Sequence, residues 1–540
     1  MENEFEKFLE QYEAKVISLN EEYNKAYFEA SISGKKEDYS RASALQLKLN
    51  KIYSDKSDFA FLKSIKESGE INEPVLKRQV ELIYNAYAGN QYNESLMEEI
   101  VGLSNRIEEE FATFRATYNG KSITDNQIDV ILQNSTDNEE LKNVWYASKQ
   151  IGEKVAKDVV KLTKMRNQAA RETGFKNYHD MSLKLSEQDP EEIDALFDNL
   201  DKLTQDEFAK LKIDMDEYLS NRYGVKPNEL MPWHYQDKFF QHGPRIYKID
   251  FDRYYQGRDL VEITRRYYNG MGMEIEDLID KSDLFEKKGK YQHAYCSDID
   301  REGDIRVLCN IKSNYKWMGT MLHEFGHAVY DKYISRDLPW ELRKHSHIFT
   351  TEAIAMMFGR MASNPQWLQE IIGISEEENN KIQSDSFNLL RLEQLVFTRW
   401  EQVVYRFEKA MYQDPDQDLN ELWWNLIKQY QLLKKPEGRS ESNWAAKIHI
   451  ALYPAYYHNY MLGELLASQL YHYIMTKILC PEESFFHSFV GHKDIGEYLK
   501  NMFFFYGASY KWNALIEKAT GEKLTPKYFA RQFLTELETL

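Results

Sequence analysis

No run of about 18 apolar residues occurs in this sequence of 540 residues, so a membrane-spanning helix is not expected. Glycine and proline are scarce, at 24 and 12. That scarcity argues for long helices with few tight turns. The three cysteines, Cys296, Cys309 and Cys480, have no C-x-x-C spacing and leave one unpaired. A disulfide framework is excluded and a reducing compartment is implied. Positive charge is short as well: the net charge is -18 and no basic stripe appears, which argues against a nucleic-acid partner. The start, "MENEFEKFLEQYEAK", is charged from its second residue and lacks the apolar run of a secretory leader. A cytoplasmic location is expected, with no membrane partner. What the chain does hold is 42% apolar residues and 14% aromatics, including 37 Tyr and 10 Trp. So many rings must fill a core or line a groove, because left exposed they would promote aggregation.

Residues 1 to about 115 are charge-rich, with apolar positions three and four apart, the helical period. The stretch Ser135 to Ser182 is predicted helical, with "STDNEE" as its start signal. Strand signals are few. "YKIDFDRYY" (Tyr247 to Tyr255) is one candidate. Gln292 to Lys312 is a better one, two apolar runs around "REGD" that read as a hairpin. Ser313 or Asn314 can cap the helix that follows. A further helix is predicted over "HIFTTEAIAMMFGRMAS". Beyond about residue 380 the chain reads as helical except for "LKKPEGRSESN". The predicted fold is mainly α, with a small β element beside the helix after the hairpin.

That helix carries "MLHEFGHAVY" (Met321 to Tyr330). Side chains at i and i+4 stack on one helix face, so His323 and His327 can reach one zinc ion, and Glu324 can reach a water beside it. Zinc hydrolases need this set: neutral imidazoles, an open position and a carboxylate base. The motif arises by chance in roughly one chain in thirty of this size, so it is weighed against two histidines that share a packed face. Glu352, 25 residues after His327, is the leading third ligand. Ile348, Phe349, Ile354, Met356, Met357 and Phe358 make its setting apolar, and a carboxylate there needs a counter-charge. Spacing alone leaves other Asp and Glu residues open.

The run "HEFGHAVYDKYISRDLPWELRK…FTTEAIAMM" resembles the zinc peptidases of the angiotensin-converting enzyme family. It is more distantly similar to thimet oligopeptidase and oligoendopeptidase. "RNQAARETGFKNYHDM", "WWNLIKQYQ" and "AAKIHIALYPAYYHNY" resemble further family signatures in the same order. The resemblance implies a two-lobed helical shell around a deep groove with zinc at its floor. It also implies a single peptidase domain over 1–540, with lid helices in 1–115 and a catalytic core in 116–540. By the same resemblance, Tyr460 donates to the tetrahedral intermediate, and His449 assists it or binds the substrate backbone. Lys447 and Tyr457 hold the substrate's terminal carboxylate, with Gln236 as a looser match. One residue appears inserted between His449 and the tyrosines, so the pair Tyr453 and Tyr456 stays open. Without the resemblance, this segment reads as a helix with a tyrosine-rich packed face. His293, 30 residues before His323, matches a family "HA" pair, so His293 is expected as a donor and Ala294 as a backbone contact. The family's aspartate four residues after the glutamate ligand is Met356 here, which leaves the partner of His323 unnamed.

The expectation is therefore a zinc-dependent peptidase acting on short peptides, releasing dipeptides from C-termini. Endo-acting oligopeptidase and single-residue carboxypeptidase are the alternatives within the enzyme class. A peptide-binding protein with structural zinc is the rival outside it, and a fourth Cys or His ligand would mark that case. No chloride is expected. Where the family places chloride-binding arginines, this chain has Ile427, Asn459 and Leu183.

Overall fold

The computed structural model describes residues 1–479 and 487–534; Cys480 lies outside them. Helix accounts for 70% and strand for 3%, so the fold is mainly α. In chain order the first helices are α1 (Glu2–Ser33), α2 (Lys36–Tyr53), α3 (Lys56–Ser68), α4 (Pro74–Ala88) and α5 (Glu94–Thr113). A hairpin follows, β1 (Ala116–Tyr118) and β2 (Lys121–Ile123), then α6 (Asp125–Asn134), α7 (Asn138–Glu172), α8 (Tyr178–Leu185) and α9 (Pro190–Tyr223). Next come α10 (Leu260–Gly270), α11 (Glu276–Lys281), β3 (Tyr295–Asp298) and β4 (Ile305–Leu308). They lead into α12 (Tyr315–Lys332), α13 (Ile348–Gly359), α14 (Pro365–Trp367) and α15 (Glu376–Gln413). The last are α16 (Leu419–Leu426), α17 (Ile448–Leu452), α18 (His458–Tyr473), α19 (Lys493–Met502), α20 (Trp512–Thr520) and α21 (Lys527–Phe533). Among the described residues, no helix is long and apolar enough to cross a membrane.

The chain divides into two compact units, each built from separated segments. Unit 1 contains Met1–Gln91, Ile249–Ser386 and Leu462–Phe529. Its helices α1 to α4 share a core of Phe5, Leu9, Val16, Leu62, Ile83 and Tyr87, closed by Trp340. Farther along α1, Phe28 packs on Ile299 and Leu308, at the β3–β4 hairpin. That hairpin is antiparallel, with Tyr295 opposite Leu308 and Asp298 opposite Ile305. It turns through Arg301 and Gly303 at positive φ, within the predicted "REGD". Tyr247 to Tyr255 forms no strand. Asp250 accepts the backbone N–H of Asp252 at 3.0 Å, and Asp252–Tyr254 closes into a 3₁₀ turn. The side-chain bond offers the backbone an alternative to a ladder.

Unit 2 contains Tyr92–Lys248, Phe387–Met461 and Ala530–Leu540. Its core joins Trp145, Val155 and Leu162 of α7, Phe208 of α9 and Trp400 and Phe407 of α15 with Trp423 and Trp444. Asp137 caps α7 by accepting from the N–H groups of Glu139 and Glu140. The β1–β2 hairpin was missed by the sequence reading. Its signal was Asn119-Gly120, both at positive φ, a pair that favours two-residue hairpin loops.

In unit 1, α12 starts at Asn314, whose side chain accepts from Trp317 N–H. Its buried face carries Met318, Met321, Leu322, Phe325, Ala328 and Val329. It crosses α13 so closely that a Cβ on Gly326 would lie 2.8 Å from Ala355 Cα and 3.3 Å from Ala355 N. Backbone atoms cannot swing aside, so only glycine permits this crossing. On α5, a Cβ on Gly102 would meet nothing within 4 Å. Alanine therefore acts in opposite directions at the two sites. Gly102→Ala should stabilise by up to about 1 kcal/mol through helix propensity. Gly326→Ala gains the same propensity but meets an overpacking cost of about 1–3 kcal/mol, so its midpoint in chemical denaturation should fall. An unchanged midpoint for Gly326→Ala would show that the two helices can separate freely.

Candidate metal centre and donor recess

In unit 1, α12 and α13 bring three ligand groups together. His323 Nε2 lies 3.2 Å from His327 Nε2. Glu352 Oε2 lies 3.6 Å from the first and 3.8 Å from the second. Tetrahedral zinc with ligand bonds of about 2.0–2.1 Å spaces its ligand atoms by about 3.3–3.4 Å, so the triangle matches. It is the only such cluster of His, Cys, Asp and Glu found among the described residues. Gly463 on α18 packs over it, since a Cβ there would lie 3.2 Å from Glu352 Cβ and from Met356 Sδ.

The supporting contacts are chemically specific. His327 Nδ1 lies 2.7 Å from Thr351 Oγ1. With Nδ1–H donating to the hydroxyl, Nε2 presents its lone pair to the other ligands. The sequence reading missed Thr351, although it immediately precedes Glu352 on α13. Met356 offers His323 no hydrogen-bond acceptor of carboxylate strength. Beside His323 stands Gly359, whose Cβ would lie 3.5 Å from His323 Cβ and 3.9 Å from Nδ1.

Glu324 is 7% exposed, and the backbone N–H of Cys296 on β3 donates to its carboxylate. Burial, then the charge of Glu352, pushes Glu324 up to about 8. Burial pushes Glu352 up to about 7 and His323 down to about 4, and it holds His327 well below its ordinary value. Every shift favours the neutral form, as expected of a desolvated cluster without a cation. A divalent ion reverses that preference for the carboxylates and suits neutral imidazoles. The side chain of His323 keeps 29% exposure, so the cluster is not sealed from water.

His293 and Ala294 fall just before β3, not on it. His293 is exposed, its ring 5.3 Å from that of Tyr291. Asn310 holds this segment by donating to the carbonyls of Tyr291 and Gln292. The β3–β4 sheet has two strands, so one edge of β3 makes no ladder.

In unit 2, Lys447, His449, Tyr457 and Tyr460 line one recess of about 290 Å³ with Gln241, His242 and Phe397. Tyr453, the open alternative, is 49% exposed and is not part of this lining. His449 and Tyr457 rings are 4.9 Å apart, and those of Tyr457 and Tyr460 are 5.2 Å apart. Lys447 Nζ donates to Gln241 Oε1 at 2.7 Å, and burial lowers its pKa to about 8. Tyr457 OH accepts from Trp400 Nε1 at 3.0 Å. Gln236 stands elsewhere: buried at 6%, its Oε1 accepts from Arg245 N–H at 2.9 Å. Gln241, five residues on, is the glutamine beside Lys447, and the sequence reading missed it. Both ends of the Asn459 amide are engaged, Oδ1 by Gln188 and Nδ2 by the Tyr456 carbonyl. Ile427 and Leu183 are buried and apolar.

Thr351 contacts the candidate ligand His327 without belonging to the triangle, so its removal should weaken metal binding without abolishing it. Thr351→Val should lower zinc affinity by about 10-fold, within the range for such supporting contacts, in competition with a chromophoric chelator. Unchanged affinity would mean that packing alone orients His327.

The family described as "Peptidase family M3" matches residues 131–535, which includes all three ligand residues and the lysine and tyrosines of the recess. The family described as "Angiotensin-converting enzyme" matches residues 1–235 and so stops short of the metal centre. Thermostable carboxypeptidase 1 of Pyrococcus furiosus is 26% identical over 264 residues, covering 42% of this chain and 49% of that protein. The inactive angiotensin-converting enzyme-related protein of Caenorhabditis elegans is 22% identical over 397 residues, covering 66% of this chain and 43% of that protein. The chain spans about half the length of these curated relatives. The first of the two family matches takes in well over half of the sequence, and by it the chain belongs to peptidase family M3.

Proposed function

We propose that the chain is a zinc-dependent metallopeptidase that hydrolyses short peptides and releases dipeptides from free C-termini. The observation that carries the reading is the triangle of His323, His327 and Glu352 with a buried carboxyl, Glu324, beside it. A zinc ion held by the three residues supplies Lewis acidity toward the scissile carbonyl and acidifies water. Glu324, oriented by the Cys296 N–H, takes a proton from the attacking water and delivers it to the leaving amine. Tyr460 and His449 donate to the oxygen that gains charge. Lys447 and Tyr457 hold the terminal carboxylate, and His293 with the Ala294 backbone contacts the peptide.

A structural zinc site has four protein ligands and no adjacent base; three ligands and Glu324 speak against that reading. The Caenorhabditis elegans relative is named as inactive; in this chain the convergence of His323, His327 and Glu352 supports the active reading. The likeness to thermostable carboxypeptidase 1 of Pyrococcus furiosus favours single-residue carboxypeptidase action as a second reading. The family M3 match over the metal centre, with the likeness to oligoendopeptidase, favours endo-cleavage as a third. All three predict loss of turnover in Glu324→Gln, by about 10²–10⁴-fold, with zinc still bound.

Product analysis separates them. Dipeptide release anchored on Lys447 should slow by about tenfold or more when the C-terminus is amidated, because a charge-assisted contact is lost. Single residues among the products would move the reading to carboxypeptidase. Equal rates on amidated and free-acid peptides would move it to endo-cleavage.

Activity at fixed ionic strength should stay flat when chloride replaces acetate, since Ile427, Asn459 and Leu183 offer no positive charge to a buried anion. A severalfold rise saturating at millimolar chloride would place the anion on some other arginine.

A further inference from the structure

The unit 2 recess offers more donors than one carboxylate requires. Resting on the peptidase reading above, we infer that it takes an acidic C-terminal residue, with Lys447 on the terminal carboxylate and His242 on the side-chain carboxylate. His242 then sets a preference for peptides ending in Glu or Asp.

Room comes first. One water occupies about 30 Å³ of liquid, so a recess of about 290 Å³ accommodates a residue with its side chain. The lining chemistry comes second: Phe397 is its one apolar side chain, and no carboxylate lines it. Gln241 has its carbonyl oxygen engaged by Lys447, so its NH₂ remains to donate.

The charges of the neighbours decide whether a second anion is tolerated. His242 Nδ1 lies 3.5 Å from Glu393 Oε2 on α15. That contact raises the imidazole above its ordinary pKa, as do Glu393 and Asp237 through their charge, while burial and then Lys447 oppose. Nδ1 faces Glu393, which leaves Nε2–H for a ligand. Glu393 is itself engaged, accepting Gly243 N–H at 3.2 Å. Asp237 accepts the N–H groups of Phe239 and Gln241. Two carboxyls act on Lys447 through their charge, Asp237 first and Glu401 second. Glu401 is fully buried, neither of its oxygens has a hydrogen-bond partner, and burial pushes it well above the carboxylate range. Burial therefore weakens the opposing charge of Glu401, and Asp237, tied to the Phe239 and Gln241 N–H groups, is the carboxylate with which a ligand shares Lys447.

The expected effect is modest, because the His242 side chain is 67% exposed and solvent screens it. A peptide ending in Glu should be favoured over its Gln twin by about three- to fivefold in kcat/KM, carried by KM. The measurement uses the zinc-loaded full chain and peptides identical except at the last residue. His242→Gln should bring the ratio to one, and His242→Lys should keep it. A ratio of one in the unaltered protein, or a preference that survives His242→Gln, would overturn the inference. Calorimetric binding of the same pairs to Glu324→Gln reads the ratio without turnover. If no peptide is cleaved while the His242-dependent binding ratio persists, the peptidase reading falls and the acidic subsite stands. If peptides are cleaved without a ratio, the subsite alone falls.

Discussion

The close crossing of α12 and α13 is the constraint on which the candidate metal centre depends. Gly326 lets the two backbones meet at Ala355, and the ligand residues lie within a turn of that meeting point. His323 and His327 flank Gly326 on one helix, and Thr351 and Glu352 precede Ala355 on the other. A wider crossing would pull Glu352 away from two imidazole nitrogens now 3.6 and 3.8 Å from it. It would also separate His327 from the hydroxyl at 2.7 Å that fixes its ring. The contact of α18 through Gly463 presses on the other side of Glu352. Packing of three helices, not a loop, therefore sets the positions of these side chains, as a precise site requires.

How much of this was legible in the sequence follows from what each signal encodes. The i, i+4 histidines are a local pattern, and helical geometry converts spacing directly into proximity. Glu352 was legible because a carboxylate amid Ile354, Met356 and Phe358 demands a partner. The "REGD" hairpin was legible because its turn lies between two apolar runs. Thr351 was not, because a threonine that orients a histidine looks like any helical threonine until the crossing is known. Gln241 was missed for a similar reason: "YQDKFFQHG" offers two glutamines, and only the tertiary path decides which reaches Lys447. The Tyr247 to Tyr255 segment alternates like a strand, but a strand needs a partner, and Asp250 captured the backbone first. The division into two units, each assembled from distant segments, leaves no trace in local periodicity.

The two units carry chemistry of opposite demand. In unit 1, burial pushes two carboxyls and two imidazoles toward neutrality, and their ligand atoms converge as a cation would require. In unit 2, an ammonium, an amide, phenols and imidazoles share one recess without a carboxylate, which suits an anion. Under the proposed function, a metal ion answers the first demand and a free peptide C-terminus the second. The overall charge of -18 argues that any anionic ligand is drawn by this local arrangement and not by the field of the whole protein.

Glu324 is the residue whose presence discriminates most sharply between a working site and a structural one. Burying a second carboxyl beside Glu352 is costly, since burial and then the charge of Glu352 push it upward, and it adds no ligand to the triangle. A structural zinc site gains nothing from such a group and would be more stable with an apolar side chain of similar size. The backbone N–H of Cys296 nonetheless supports that carboxylate, so strand β3 is positioned to serve it. A carboxyl held by a hydrogen bond beside the candidate ligand triangle has the placement that the proposed proton transfer needs. Gly326, two residues on, lets α12 meet α13 at Ala355, and the charge of Glu352 on α13 is felt at Glu324.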